Sequence, residues 1–588
     1  MLKIFKHLQK HEWLLALFSL VFIIAQVWLD LRLPDYMAEI TVLIQTPGTT
    51  TAELLVPGAY MLMCAIGSMI AAMVVGYYAA KIAAGLAMRL RGKVFEKTLS
   101  FSMEEISGFS TSSLITRSTN DITQIQMIVA MGLQAIVKAP ILAVWAIVKI
   151  SGKGWEWTAA TGVAVLVLIL MLSVIIIFAL PKFKVIQKLT DNLNRVTREN
   201  LTGLRVVRAY NAERYQEAKF DQANDELTRT NLFVSRLMSI IAPGMTLIMS
   251  GLSVSIYWIG AFLIQQAAMT ERLTLFSNMV VFSSYAMQVV VAFMMLSIIF
   301  IMLPRASVSA KRISEVLDTK PKVIDGKKTE GQPGRTGEVE FRNVSFKYPD
   351  AEEPILRNIT FTAKHGETVA LIGATGSGKT SIINLIPRFY DATEGEVLVD
   401  GINVKEYTQE ALHNKIGYVP QRAVLFSGSV STNVAYGSNG TGQSPSEELI
   451  KKSVEIAQGT EFVEQMKGQY QGHIAQGGAN ISGGQKQRLS IARAIYRQPE
   501  IYIFDDSFSA LDYRTDRILR SALKKETQGA TTLIVAQRIG TIKDADRILV
   551  IEDGQIVGNG THSELLSSCS TYQEIAYSQL SKEELDNE

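Results

Sequence analysis

Six long apolar runs fill the first three hundred residues, and they restrict this chain more than any other feature. They lie near Trp13–Leu33, Leu55–Ala80, Ile128–Lys149, Trp157–Leu180, Ser235–Ile264 and Phe276–Leu303. Each reaches the roughly 20 residues that cross a hydrocarbon layer as a helix. Inside lipid no water is at hand to satisfy a backbone N–H or C=O, so runs of this kind fold as helices. Lys3, Lys6 and Lys10 precede the first run and imitate a signal-peptide start. No small-residue cleavage site follows and more runs do, so a retained span is expected.

The basic residues set an orientation. Pro34–Glu53 contains no Lys or Arg, whereas Pro181–Leu232 contains ten and Ala87–Gln126 five. The positive-inside bias therefore assigns the N-terminus, both long basic connections and everything after the sixth run to the cytoplasm of a multi-pass cell-membrane protein. Each long connection has a helical pattern; folded as antiparallel legs of about 20 residues, it would extend roughly 30 Å beyond the bilayer. Net charge is only +3 and the chain has two cysteines, Cys64 and Cys569. Neither a nucleic-acid partner nor a disulfide framework is expected.

Beyond Arg305 the pattern changes. Asp318 through Gly337 is rich in Pro, Gly and Lys and reads as a linker. After it, apolar runs alternate with helical segments in the manner of an α/β domain. The run Thr368-Val369-Ala370-Leu371-Ile372 leads into Gly373-Ala374-Thr375-Gly376-Ser377-Gly378-Lys379-Thr380, which fits G-x-x-x-x-G-K-[ST], and Ser381-Ile382-Ile383 then opens a helix. Strand, glycine loop and helix in this order make a phosphate cradle. Its N–H groups surround phosphate oxygens, Lys379 neutralises them and Thr380 offers a hydroxyl to Mg²⁺. Asp505 ends the apolar run Ile501-Tyr502-Ile503-Phe504 and is the candidate carboxylate partner of the metal.

The P-loop, Ile481-Ser482-Gly483-Gly484-Gln485 and Ile501–Asp506 together resemble the ATP-binding-cassette (ABC) exporters, and the resemblance covers essentially the full chain. It implies a six-helix membrane domain with long cytoplasmic extensions (residues 1–317), a linker (318–337), an α/β P-loop nucleotide-binding domain (338–580) and an acidic tail (581–588). ATP and Mg²⁺ are the implied cofactors. Gly373, Thr375, Gly376, Ser377, Gly378, Lys379, Thr380 and Ser381 would hold phosphates, and Tyr348 would stack on adenine. Gln421, in Tyr418-Val419-Pro420-Gln421, would sense the γ-phosphate, join Thr380 and Asp505 at the metal and touch the membrane domain. Ser482, Gly483, Gly484 and Gln485 would hold ATP bound to a second chain. One ATPase domain and six spans make half a transporter. Phe109–Arg117 and Gly203–Glu213 resemble the family's coupling-helix regions.

Two positions depart from the family pattern. Asp506 stands where Glu is usual and Gln537 where His is usual; Gln476 also replaces a common Glu. Asp is one methylene short of a general base's reach toward water, and Gln cannot become cationic or pass a proton. None of the six histidines lies within twenty residues of Gln537. The swaps resemble the degenerate-site subunit of heterodimeric bacterial multidrug exporters. They imply a homologous partner half carrying Glu and His, with small hydrophobic or cationic compounds as substrates. A lipid flippase of the same architecture and a slow homodimer are the alternatives. Phe282, Tyr285, Met287, Phe293, Met294 and Met295 offer an adaptable apolar wall. Lys138 has two open readings, lining a cavity or pairing with a neighbouring helix. Asp30 and Arg32 fall near the outer end of the first run, where a charge reaches water at little cost.

Overall fold

A computed structural model describes residues 2–46, 48–151, 154–269, 271–438 and 444–579. It divides into two compact units, one built from the residues up to Leu99 with Ser112–Thr319, the other from Ser100–Thr111 with the residues from Lys320 on. The tail expected at 581–588 lies outside the described residues.

In the first unit six helices are long and apolar enough to cross a membrane, as the apolar runs require. We number them by span: one, Lys10–Gln45; two, Thr51–Leu99; three, Asn120–Ile150; four, Trp155–Thr202; five, Ile241–Gln266; six, Arg272–Asp318. Span two has 49 residues, roughly 70 Å at 1.5 Å per residue, so more than half of it lies outside a hydrocarbon layer of about 30 Å.

The first outer connection is shorter than its composition suggests. Residues 34–45 are helical and Pro34 sits inside span one, so the expected connection Pro34–Glu53 shrinks to the few residues before Thr51. A proline in a helix removes one donor and strands the carbonyl four residues back. That carbonyl belongs to Asp30, and Gln288 Nε2 of span six donates to it at 3.3 Å. One turn along, Tyr285 Oη donates to the Leu31 carbonyl at 2.9 Å and to Asp35 Oδ1 at 2.6 Å. Span six thus supplies the partners that let span one continue through its proline.

Two ion pairs join spans one and three. Lys138 Nζ lies 3.1 Å from Asp30 Oδ2, and Lys149 Nζ lies 2.7 Å from Asp35 Oδ2; the Ser68 hydroxyl also bonds Asp30. Of the two readings open for Lys138, the structure shows the helix–helix pair. Asp30 is not at a helix end as the sequence implied, because span one runs on to Gln45. Arg32 lies over the Trp28 ring at 5.2 Å. Around these pairs Trp157, Phe282, Val281, Val289 and Ile256 form a fully buried core, with the Trp157 and Phe282 rings 5.6 Å apart.

The second unit is an α/β domain with two larger sheets and a short antiparallel pair, β7 Gly428–Ser429 with β8 His473–Ile474. An antiparallel sheet has the order β2-β1-β4-β5: β1 Val339–Phe346, β2 Leu356–Ala363, β4 Glu394–Val399, β5 Ile402–Asn403. The other has the order β12-β11-β3-β10-β9-β6: β3 Thr368–Ile372, β6 Ile416–Val419, β9 Ile501–Asp505, β10 Thr531–Val535, β11 Arg547–Glu552, β12 Gln555–Gly560. Strands β6, β9, β10, β3 and β11 run parallel. Their near-continuous apolar runs fit a sheet covered on both faces, and all five residues of β9 and of β10 are buried. The stretch before β1 is tied down: Gly326 N and Lys328 N donate to Tyr407 O and Glu406 O, and Gln332 N donates to Asp400 O.

Replacing Tyr285 by Phe removes a hydroxyl that bonds two acceptors in a buried place. We expect a loss of about 1–3 kcal/mol, read as a lowered thermal midpoint in detergent, with expression in the membrane retained.

Candidate functional site

Strand β3 delivers the glycine loop to the carboxyl edge of the parallel sheet, and the helix Lys379–Leu385 leaves from it. Gly373, Gly376 and Gly378 have φ of +154°, +89° and +99°. Two of them are also sterically required. A Cβ on Gly373 would meet the Ile551 carbonyl at 2.1 Å, and one on Gly378 would meet Leu356 Cδ2 at 2.6 Å. At Gly376 a Cβ would meet nothing within 4 Å, so that side of the loop is open to a ligand. Lys379 is buried, its Nζ donating to Gly373 O at 2.8 Å, Ala374 O at 2.7 Å and Ser377 Oγ at 3.2 Å. Burial pulls its pKa below the usual lysine range, against the pull of Asp506 and Asp505. A phosphate at the loop would supply the counter-charge that the loop carbonyls only partly replace.

The adjacent strand ends bring in the acidic side. Thr380 Oγ1 donates to Asp505 Oδ1 at 2.9 Å. Burial raises the Asp505 pKa, with the Thr380 hydrogen bond opposing it. Among the described residues no group of three His, Cys, Asp or Glu side chains is placed to hold a metal ion. Thr380 and Asp505 fit the sparse protein ligation of Mg²⁺, which takes its remaining ligands from phosphates and water.

Asp506 follows at φ +44°, a left-handed conformation that Asp tolerates better than most residues. Its Oδ2 accepts from Gln537 Nε2 at 3.0 Å and from Gln421 Nε2 at 3.3 Å. One carboxylate oxygen therefore binds both amides, and residues from three distant segments meet at it. Burial raises the Asp506 pKa as well, opposed first by the Gln421 hydrogen bond.

A cavity of about 190 Å³ opens here, lined by Thr375, Gly376, Gly378–Ser381, Gln421, Asp505, Asp506 and Gln537, with Ile355 and Val535. Gly373 and Ser377 underpin the loop without lining the cavity. Tyr348 does not line it either: its hydroxyl lies 3.0 Å from Ser381 Oγ and its ring packs edge-on against Phe346 and Tyr390. Ser482 to Gln485 lie away from the cavity. Ser482 caps the helix Gly483–Tyr496, its backbone N–H donating to Gln485 Oε1 at 2.9 Å while its hydroxyl accepts from Gln485 N at 3.3 Å. Ser482 and Gly483 are exposed, so this helix start is open to an outside partner. Gln476 sits in the tight turn Gln476–Gly478 that precedes it.

The apolar wall of Ile355 and Val535 was not foreseen. Val535 stands two residues before Gln537 at the end of β10, whereas nothing local marks Ile355. Ser507 was also missed; its Oγ donates to Val419 O at 3.0 Å and ties the end of β6 to that of β9. The first suggested coupling region divides. The helix Met103–Phe109 belongs to the ATPase unit, where Lys322 N donates to Glu105 Oε1 at 3.1 Å and Lys322 Nζ pairs with Glu104. In the second region the helix Leu204–Ala209 buries only Val207.

A glycine-loop ATPase preceded by six membrane helices defines an ATP-driven membrane transporter half. The chain belongs to the ABC transporter family: the family's transmembrane region matches residues 16–293 and the ABC transporter ATPase region matches 356–509. An uncharacterised ABC transporter ATP-binding protein of Mycobacterium tuberculosis is 39% identical over 98% of this chain and 97% of its own length. One from Bacillus subtilis is 34% identical over 90% of each. An ATP-dependent lipid A-core flippase of Pseudomonas aeruginosa is 30% identical over 85% of this chain and 81% of its own. The fold matches a bacterial Atm1-family ABC exporter solved with ATP bound, at a TM-score of 0.81 and 24% identity over 96% of this chain and 98% of that one. The chain is thus an ATP-hydrolysing, multi-pass half-transporter with the exporter fold.

Asp505→Asn should weaken nucleotide binding by about tenfold or more in Mg²⁺ and leave binding in EDTA nearly unchanged. Calorimetric titration of ATP with and without the metal checks this.

Proposed function

We propose that this chain is one half of a heterodimeric exporter of hydrophobic and amphipathic compounds. In this reading its own P-loop binds MgATP and turns it over slowly. Its Ser482–Gln485 segment completes the faster site of a homologous partner that carries Glu and His. The observation that carries the reading is the engagement of Asp506 Oδ2 by Gln421 and Gln537. A general base must present a free carboxylate oxygen to the attacking water. Here the shorter side chain is turned toward two amides, neither of which accepts a proton from it.

The residues divide the work. Lys379 leaves the loop carbonyls to meet phosphate oxygens, and Thr380 and Asp505 hold the metal, whose charge offsets that of the phosphates. Tyr348 moves from the Ser381 hydroxyl to face adenine, and Gln421 reports the γ-phosphate toward the membrane domain. The cavity is smaller than the roughly 300 Å³ at which complete ligand pockets begin, as expected when a second chain supplies the other wall. We place the N-terminus and the ATPase domain (338–580, after the linker at 318–337) in the cytoplasm on the lysine and arginine bias. Cysteine labelling from either side of intact cells tests that placement.

A second reading has its own support. The lipid A-core flippases matched at 30–31% identity share the architecture, and lipid translocation needs no other. Vesicle assays with a hydrophobic cationic dye and with a headgroup-labelled lipid separate the two; ATP-dependent movement of the lipid alone would replace the drug reading.

The slow-site reading predicts that Asp506→Glu with Gln537→His raises hydrolysis at this chain's site by about 10- to 100-fold. Phosphate release is measured with the partner's site disabled. Robust hydrolysis by the unaltered chain alone, lost in Lys379→Ala, would overturn the reading.

A further inference from the structure

Within the central apolar stretches of the six spans, charged side chains fall on spans one and three only. Residues 54–80, 157–180, 241–266 and 273–304 contain no Asp, Glu, Lys or Arg. Those charged side chains are Asp30, Arg32, Asp35 and Glu39 of span one and Lys138 and Lys149 of span three. Charges kept in a membrane segment face protein or water and mark a pathway more often than a scaffold. The inner pair, Asp30–Lys138, has side chains 24% and 18% exposed, so it is reachable rather than sealed.

The same helices wall a cavity of about 300 Å³, lined by Gly76, Ala80, Met131, Gln134, Met295 and Met302, among others. Helical repeats connect the two features. Met131 and Lys138 are seven residues apart on span three, and Gln288, Met295 and Met302 recur at sevens on span six. A spacing of seven returns to nearly the same helix face roughly 10 Å along the axis. Gln134 is the one polar side chain in an otherwise apolar lining, and Lys138, with its partner Asp30, and Gln288 stand about one heptad beyond one end of it. Gln288 Nε2 is committed to the Asp30 carbonyl, while its Oε1 is buried and lacks a hydrogen-bond partner among the described residues. A buried acceptor without a donor is costly and calls for one.

We propose that this end of the cavity is a headgroup site that selects an amphipathic molecule with an uncharged, hydrogen-bond-donating head, a hydroxyl or amide, and an apolar body fitting the methionine-lined space. The proposal rests on the export reading and narrows its substrate class. Gln288 Oε1 accepts from the head. The Asp30 and Lys138 charges cancel, so a charged head would enter with no net counter-charge to meet it, and a neutral donor escapes that cost. The methionines adapt to the shape of the body. The ion pair is then a charge filter whose two halves have opposite effects.

The test uses the full-length chain, in the oligomer it forms, in nanodiscs of one lipid composition and without nucleotide. Three probes share a naphthylbutyl body and end in a hydroxyl, an ammonium or a carboxylate. Binding is measured above that of empty nanodiscs and per folded protein. We expect the hydroxyl probe to bind about tenfold tighter than either charged one. Asp30→Asn should shift preference toward the carboxylate and Lys138→Gln toward the ammonium, each by about tenfold. The double variant should keep the hydroxyl preference, and Gln288→Met should erase it. Equal changes for all three probes in both single variants, or a wild-type preference for a charged probe, would overturn the proposal. Should a single variant fail to fold, the double variant and Gln288→Met decide by the same criterion. Since no ATP is present, failure here leaves the export reading intact, and failure of vesicle transport is a separate result.

Discussion

A charge or polar group removed from water must find a partner inside the protein, and both units are arranged around that requirement. In the membrane unit, Pro34 strands the Asp30 carbonyl and Gln288 takes it up. Asp30 and Asp35 are met by Lys138 and Lys149. In the ATPase unit, Lys379 turns back onto its own loop, Thr380 holds Asp505, and two glutamines hold Asp506. Leaving any of these groups alone would cost more than the net worth of an ordinary hydrogen bond. Each arrangement is therefore also a stored demand for something better, such as a phosphate, a metal or a donor.

That demand connects structure to activity. A loop whose lysine is satisfied only by carbonyls is ready to exchange them for phosphate oxygens. The burial that lowers the Lys379 pKa and raises those of Asp505 and Asp506 expresses the same demand at the level of protonation. In the proposed slow site the amides of Gln421 and Gln537 hold Asp506 Oδ2 and would compete with water for it. The slow-site proposal is thus a statement about competition for one carboxylate oxygen as well as about a missing methylene.

Much of the architecture was legible from one dimension. Apolar length gave six helices because lipid offers the backbone no alternative partner. The glycine loop was legible because the glycines and Lys379 are contiguous. The less accurate readings concern partners far apart in sequence. Pro34 looked like a helix end, since the sequence does not show that Gln288, some 250 residues away, restores the missing bond. The partners of Tyr348 were equally invisible: the family resemblance implies stacking on adenine, and the structure shows its hydroxyl and ring engaged with Ser381, Phe346 and Tyr390. Ile355 carried no signal, because lining a cavity depends on which strands become neighbours.

By itself the sequence determined the residue types: an apolar N-terminal half, a phosphate loop, an acidic strand end, and Asp and Gln where a base and an imidazole are usual. The first three are properties of composition and local spacing, the last is read against the family pattern the chain resembles, and all survive without coordinates. Only the tertiary structure decided who meets whom. It brought Gln421 and Gln537 to one oxygen of Asp506, and it set Lys138 of span three against Asp30 of span one. The physical reason is that hydrogen bonds and ion pairs act over a few ångströms, a distance that strand order and helix packing fix and that sequence separation does not.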